Sequence, residues 1–92
     1  MTTGHARPPA WWVYMLRCAD GSLYTGITTD VSRRVAEHNG DARLGARYTR
    51  ARRPVQLVYA EGAVDRAAAA RREAAIKRLD RTRKLALCAA AG

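Results

Sequence analysis

The sequence predicts an α+β fold: a three-stranded antiparallel sheet flanked by helices, in the order ββαβαα. Three observations carry the prediction. Residues 11–18 (WWVYMLRC) form a nearly continuous apolar block, which suits a strand buried on both faces and therefore central in its sheet. The stretch Ala19-Asp20-Gly21-Ser22 is a turn signal that joins this block to the β-branched and aromatic residues 23–28 as a hairpin. Further on, Asp30, Asp65 and Asp80 each stand at the start of a helical pattern, where an aspartate accepts from otherwise unpaired backbone N–H groups.

Taken in order, the first helix runs from Asp30 to about Asn39. Val31 and Val35 lie four apart on one face, and Gly40 stops the helix. Residues 40–54 read as a loop of glycine, arginine and one tyrosine ending at Pro54. Residues 55–61 (VQLVYAE) alternate as the third strand. An alanine-rich helix capped by Asp65 extends to about Leu79, and a last helix from Asp80 carries Leu85, Ala86, Leu87 and Cys88. Residues 1–10 read as a flexible tail and residues 11–90 as a single domain.

Length and charge bound the function. With 92 residues the core is small, which excludes a two-lobed dinucleotide-binding enzyme or a (β/α)8 barrel. The chain has 17 Lys+Arg against 8 Asp+Glu, a formal net charge of +9. The only lysines are Lys77 and Lys84, so arginine supplies almost all of the excess. Its planar fork matches phosphate bidentately, which points to nucleic acid, although a genome-wide bias towards arginine and alanine would leave the same composition. No apolar run approaches the ~18 residues of a membrane span, and the N-terminus lacks the apolar core of a secretory signal. Cys18 and Cys88 form no CxxC pair. They read as free thiols in a reducing, cytoplasmic setting and cannot assemble a zinc site with two distant histidines.

Hairpin register brings the candidate residues together. A three-residue Ala19-Asp20-Gly21 loop, with Gly21 at the left-handed position, pairs Cys18 with Ser22, Leu16 with Tyr24 and Tyr14 with Gly26. Tyr14 and Tyr24 then share one sheet face as diagonal neighbours, roughly 7–8 Å apart. A two-residue turn would put them on opposite faces. Gly26 leaves space opposite Tyr14, as a strand glycine often does where another group approaches closely. The plainer reading is two tyrosines on an amphipathic strand. In the first helix, Arg34 and His38 lie four apart at the border of the apolar face. There they could grip a phosphate and move a proton, or simply be boundary residues. Glu73 falls between Ala69 and Ile76 on the apolar stripe of its helix. A carboxylate there needs a partner, either Arg72 or Lys77, or a hard divalent cation.

This ordered set resembles the GIY-YIG nuclease family, and in particular its small single-domain bacterial members. The first motif reads Val13-Tyr14-Met15 and the second Tyr24-Thr25-Gly26. The following helix carries Arg34-x-x-x-His38 and the next helix Glu73. The resemblance spans about residues 11 to 88. It implies metal-dependent hydrolysis of phosphodiester bonds in DNA, in the setting of repair or recombination. Under that reading Tyr24 is the base that deprotonates the attacking water, and Tyr14 positions the water or shares the role. Arg34 neutralises the scissile phosphate, and His38 orients a tyrosine or relays the proton. Glu73 holds one Mg²⁺ or Mn²⁺ on the leaving side.

The arginines of the 40–54 loop would then grip substrate. Arg43, Arg47, Arg50, Arg52 and Arg53 surround Tyr48, a pattern suited to phosphate contacts plus stacking on an unpaired base. A solvated loop is the plainer alternative. Nothing in the helices reads bases, so little sequence specificity is expected. The expected partner is DNA, with branched and single-stranded forms left open by the sequence and RNA open as well. A nucleic-acid-binding module that keeps the fold without turnover is the second reading.

Overall fold

A computed structural model describes residues 8–40 and 44–91. Strand β1 (Trp11–Arg17) lies between β2 (Leu23–Thr28) and β3 (Gln56–Ala63), antiparallel to both. The central position follows from composition. Val13, Tyr14, Met15 and Leu16 are all buried, so both faces of β1 are covered.

The hairpin has the predicted register, with Tyr14 opposite Gly26 and Leu16 opposite Tyr24. Gly21 takes φ 83°, the left-handed region in which a Cβ would be strained. Its N–H donates to Cys18 O at 2.9 Å, and Cys18 N–H donates to Ser22 O at 2.9 Å. Asp20 tightens the turn by accepting from the Ser22 amide at 3.0 Å and the Ser22 hydroxyl at 2.6 Å.

The helices are α1 (Val31–Gly40), α2 (Arg47–Arg50), α3 (Arg66–Lys77) and α4 (Arg81–Ala91). The three predicted caps are formed: Asp30 accepts from Arg33 N–H, Asp65 from Ala68 N–H and Asp80 from Arg83 N–H. The two faces of the sheet pack differently. Val13 and Met15 join Ala69 and Ile76 of α3, with Leu87 and Cys88 of α4 against them. On the other face Tyr14, Leu16 and Cys18 pack with Val55, beside Tyr24 and Val35 of α1.

Three expectations are corrected. The 40–54 segment is not simply a loop, because α2 lies within it. That turn has no run of apolar residues to announce it and is stitched in place from outside: Ala19 N–H donates to Arg52 O at 2.8 Å. The Asn39 amide also bridges both backbone groups of Val55, at 3.0 and 2.7 Å. The third strand starts at Gln56 rather than Val55 and continues past Glu61 to Ala63, because it pairs with β1 back to Trp11. Helix α3 ends at Lys77, short of Leu79.

Candidate active site

The residues singled out by sequence gather around the Tyr14 hydroxyl. Tyr14 is 1% exposed, and its oxygen lies 2.8 Å from His38 Nε2. His38 is also 1% exposed, although it sits at the border of its helix, because α2 covers it. Its Nδ1 lies 2.8 Å from the hydroxyl of Thr49, which is fully buried. Gly26 makes the arrangement possible. A Cβ on it would fall 2.6 Å from the Tyr14 hydroxyl and 2.8 Å from ring carbon Cζ. The open space expected beside Gly26 is therefore filled by the Tyr14 ring itself.

The electrostatics separate these groups. Burial, more than any other cause, pushes Tyr14 up to about 12, and neighbouring Tyr24 adds to the rise. Arg34 opposes it through hydrogen bonding and charge, whereas the Glu73 carboxylate pushes the same way as burial. Both Arg34 and Glu73 are thus within electrostatic reach of one hydroxyl. Burial, followed by the positive charge of Arg34, pushes His38 down to about 4, against the pull of Glu37. At neutral pH the imidazole is uncharged, and so is the Tyr14 phenol.

Tyr24 is half-buried beside this cluster, its ring centroid 6.4 Å from Tyr14 and 5.3 Å, edge-on, from His38. Tyr48 stacks on Tyr24 at 5.9 Å with planes 25° apart. The Arg52 guanidinium lies over the Tyr48 ring, 4.0 Å from its centroid. Arg52 is further held by Asp20 at 3.1 Å and by the Tyr48 carbonyl at 2.8 Å. Tyr48 stays 39% exposed at the surface, and Arg52 ties α2 to the hairpin turn. Arg53 donates to Arg50 O at 3.1 Å, while Arg47 and Arg50 are exposed. Arg43 lies outside the described residues.

A cleft of about 350 Å³ opens beside the free edge of β2, between Ile27 and Thr28 on one side and Arg33, Arg34, Glu37 and Arg66 on the other. Arg34 is three-quarters buried at this cleft and pairs with Glu37 at 3.0 Å, while also donating to Leu44 O. Arg66 lies over the Trp11 ring at 5.7 Å. It also borders an adjoining groove with Ile27, Ala70 and Glu73. Glu73 belongs to α3 on the opposite side of the sheet and comes near the tyrosines only at this edge. It is 22% exposed, and Oε2 pairs with Lys77 at 3.2 Å. Among the described residues no three His, Cys, Asp or Glu side chains cluster as a metal cage. A single carboxylate at a groove still fits Mg²⁺ or Mn²⁺, whose remaining positions are commonly taken by water and substrate phosphate.

The structure thus brings Tyr14, Tyr24, Arg34, His38 and Glu73 to one region, with Gly26 beneath Tyr14. Sequence reasoning missed Thr49, Arg66 and Glu37. Thr49 offered only a weak signal, a threonine beside Tyr48 in a segment read as a loop. Arg66, directly after the Asp65 cap, was placed on α3 but not near the cleft. Glu37 was hidden because the pattern stressed the cations around it.

Comparison with known proteins supports the fold. The GIY-YIG catalytic domain family matches residues 10–86. A UPF0213 protein of Desulfotalea psychrophila is 62% identical over 79 residues, covering 86% of this chain and 71% of that one. A UPF0213 protein of Natronomonas pharaonis is 55% identical over 78 residues, covering 85% and 89%. The solution NMR structure of a UPF0213 protein from Bacillus halodurans superposes with a TM-score of 0.57 at 43% identity, over 89% of this chain and 85% of that one.

Proposed function

The chain belongs to the GIY-YIG family, and on that premise we propose that it is a divalent-metal-dependent endonuclease hydrolysing phosphodiester bonds in DNA with little sequence specificity. One observation supports the reading most: a buried Tyr14–His38 pair, a more accessible Tyr24, a cleft-facing Arg34 and a carboxylate at Glu73 meet at one edge of the sheet.

The two tyrosines divide the work by environment. Tyr14 is held protonated, its oxygen fixed by His38. Tyr24 has the access that Tyr14 lacks, so it takes the proton of the attacking water. The neighbouring Tyr24 adds to the effect of burial on Tyr14, which keeps Tyr14 a neutral anchor. Arg34 stands in the cleft with its guanidinium partly exposed, placed to meet the phosphate in exchange for Glu37. Arg66, Arg47 and Arg50 add positive charge for neighbouring phosphates, so binding falls with salt. Glu73 would hold one Mg²⁺ or Mn²⁺ in exchange for Lys77, and a bound divalent ion supplies charge stabilisation for the leaving oxygen.

The test is cleavage of branched, single-stranded and duplex DNA with Mg²⁺ or Mn²⁺. We expect wild-type cleavage that falls by about 10²-fold or more in Tyr24→Phe and in Glu73→Ala. Cleavage that survives both substitutions overturns the assignment. The second reading, a DNA-binding module without turnover, is favoured by the Lys77–Glu73 pair, which engages one carboxylate oxygen of Glu73. It gains if the wild type binds DNA and never cuts it.

A further inference from the structure

Thr49 is the buried residue of α2, a four-residue helix whose other side chains lie at the surface. A hydroxyl fully removed from water must be used, and this one sits between two groups. It lies 2.8 Å from His38 Nδ1 and 2.9 Å from the Ala46 carbonyl oxygen. At the far side of the imidazole, Nε2 meets Tyr14 at 2.8 Å, and the Tyr14 hydroxyl in turn feels Arg34.

The polarity of this chain is set at its ends. A carbonyl oxygen only accepts, and a guanidinium only donates. If Thr49 donates to Ala46 O, its oxygen accepts from Nδ1–H of His38. The bare Nε2 then accepts from the Tyr14 hydroxyl, whose lone pairs are left for Arg34. The hydroxyl protons of Thr49 and Tyr14 and the Nδ1 proton of His38 each have an acceptor in this arrangement. In the opposite tautomer Nε2–H would donate to Tyr14, and the Tyr14 proton would have no acceptor among the described residues. One contact pulls the other way: the Ala46 N–H faces Nδ1 at 3.4 Å. It is longer than the three bonds that agree, and weaker for that reason.

We propose that Thr49 is a positioning residue that holds His38 in its Nδ1-protonated tautomer, so that Nε2 takes the Tyr14 proton and the Tyr14 oxygen presents its lone pairs towards Arg34 and the cleft. This deepens the nuclease reading and rests on it for its catalytic consequence, but not for the tautomer itself. In that state the Tyr14 oxygen can accept a hydrogen bond from a water entering beside Tyr24. In the other state the Tyr14 proton would point outward and turn that water the wrong way.

The deciding measurement is ¹⁵N long-range NMR correlation of the His38 ring at neutral pH. The wild type is expected to show a protonated Nδ1 and a bare Nε2. Thr49→Val keeps the shape and removes the hydroxyl, and should move the ring towards Nε2–H, whereas Thr49→Ser should restore the wild-type pattern. With cleavable DNA, Thr49→Val should lower kcat by about 10- to 100-fold with KM little changed, with recovery in Thr49→Ser. A wild-type ring protonated at Nε2 overturns the proposal and needs no variant to fold. A Thr49→Val ring that keeps the wild-type tautomer also overturns it. A wild type that shows the expected tautomer but never cuts DNA overturns the nuclease reading while leaving the assignment of Thr49 to the tautomer supported.

Discussion

The two faces of the sheet bury comparable side chains to different ends. Towards α3 and α4 the core is Val13, Met15, Ala69 and Ile76, with Thr25, opposite Met15, as a buried hydroxyl beside them. Towards α1 and α2, Tyr14, Leu16, Cys18 and Val55 share their space with His38 and Thr49, two fully buried polar side chains. Apolar packing tolerates imprecision, because dispersion and water exclusion are not directional. A buried polar chain does not, because each unpaired donor or acceptor costs free energy and each pairing fixes an angle. The difference teaches where stability and chemistry are divided in a small domain. One face holds the fold together, and the other holds a hydroxyl in place. Glu73 is the exception, since it stands on the stabilising helix and lines a groove with Ile27 of β2.

The largest effect expected on this division is at Ile76, which is fully buried in the α3 face. Ile76→Ala should cost about 2–5 kcal/mol of stability, a large part of what a domain this small possesses. The midpoint of urea unfolding measures it, and DNA cleavage by the fraction still folded should be little changed. A loss below about 1 kcal/mol would show that this face is not the main stabiliser.

The polar face should announce itself through pH. His38 is pushed from 6.5 to about 4 by burial and by Arg34. Its folded value lies below its unfolded one, so the contribution is fully present above pH 6.5. It declines as pH falls from there to 4, because the unfolded chain takes up a proton that the folded chain refuses, and it changes no further below that. The decline should total about 3 kcal/mol. His38→Gln should remove this part of the pH dependence. A wild-type stability that is flat from pH 6.5 to 4, once carboxylate titration is allowed for with that variant, would mean that His38 is not held neutral.

Much of this division was legible in the sequence, for identifiable reasons. A continuous apolar strand, a glycine at a turn and three aspartate caps are local signals, so the order of elements and the hairpin register followed from them. The register alone put Tyr14 and Tyr24 on one face. Four-residue spacing put Arg34 beside His38, and three- and four-residue spacing put Glu73 on an apolar stripe. What stayed hidden depends on contacts between distant segments. Helix α2 is one turn long and is held by Asn39, Ala19 and Asp20, none of which lies within it. Thr49 becomes a partner of His38 only through that docking. The same docking places Arg52 over Tyr48 and stacks Tyr48 on Tyr24.

The smallest change in stability, and the sharpest test of the comparison, is expected at Gly26. Its φ is ordinary for a strand, so alanine meets no backbone strain and should gain about 0.4–1 kcal/mol from a less flexible unfolded chain. The added methyl must nevertheless move the Tyr14 ring, since it would lie 2.6 Å from the hydroxyl and 2.8 Å from Cζ. That hydroxyl is tethered to His38 at 2.8 Å, so moving it stretches or breaks the bond. Overpacking of this kind costs about 1–3 kcal/mol, which leaves a net loss of about 1 kcal/mol in Gly26→Ala. Activity should fall much further than stability, because the displaced atom belongs to the site, and the His38 ring should lose its single tautomer. Equal losses in stability and in activity per folded molecule would place Gly26 with the packing residues of the other face. Full activity with a displaced Tyr14 would show that the position of this hydroxyl does not matter.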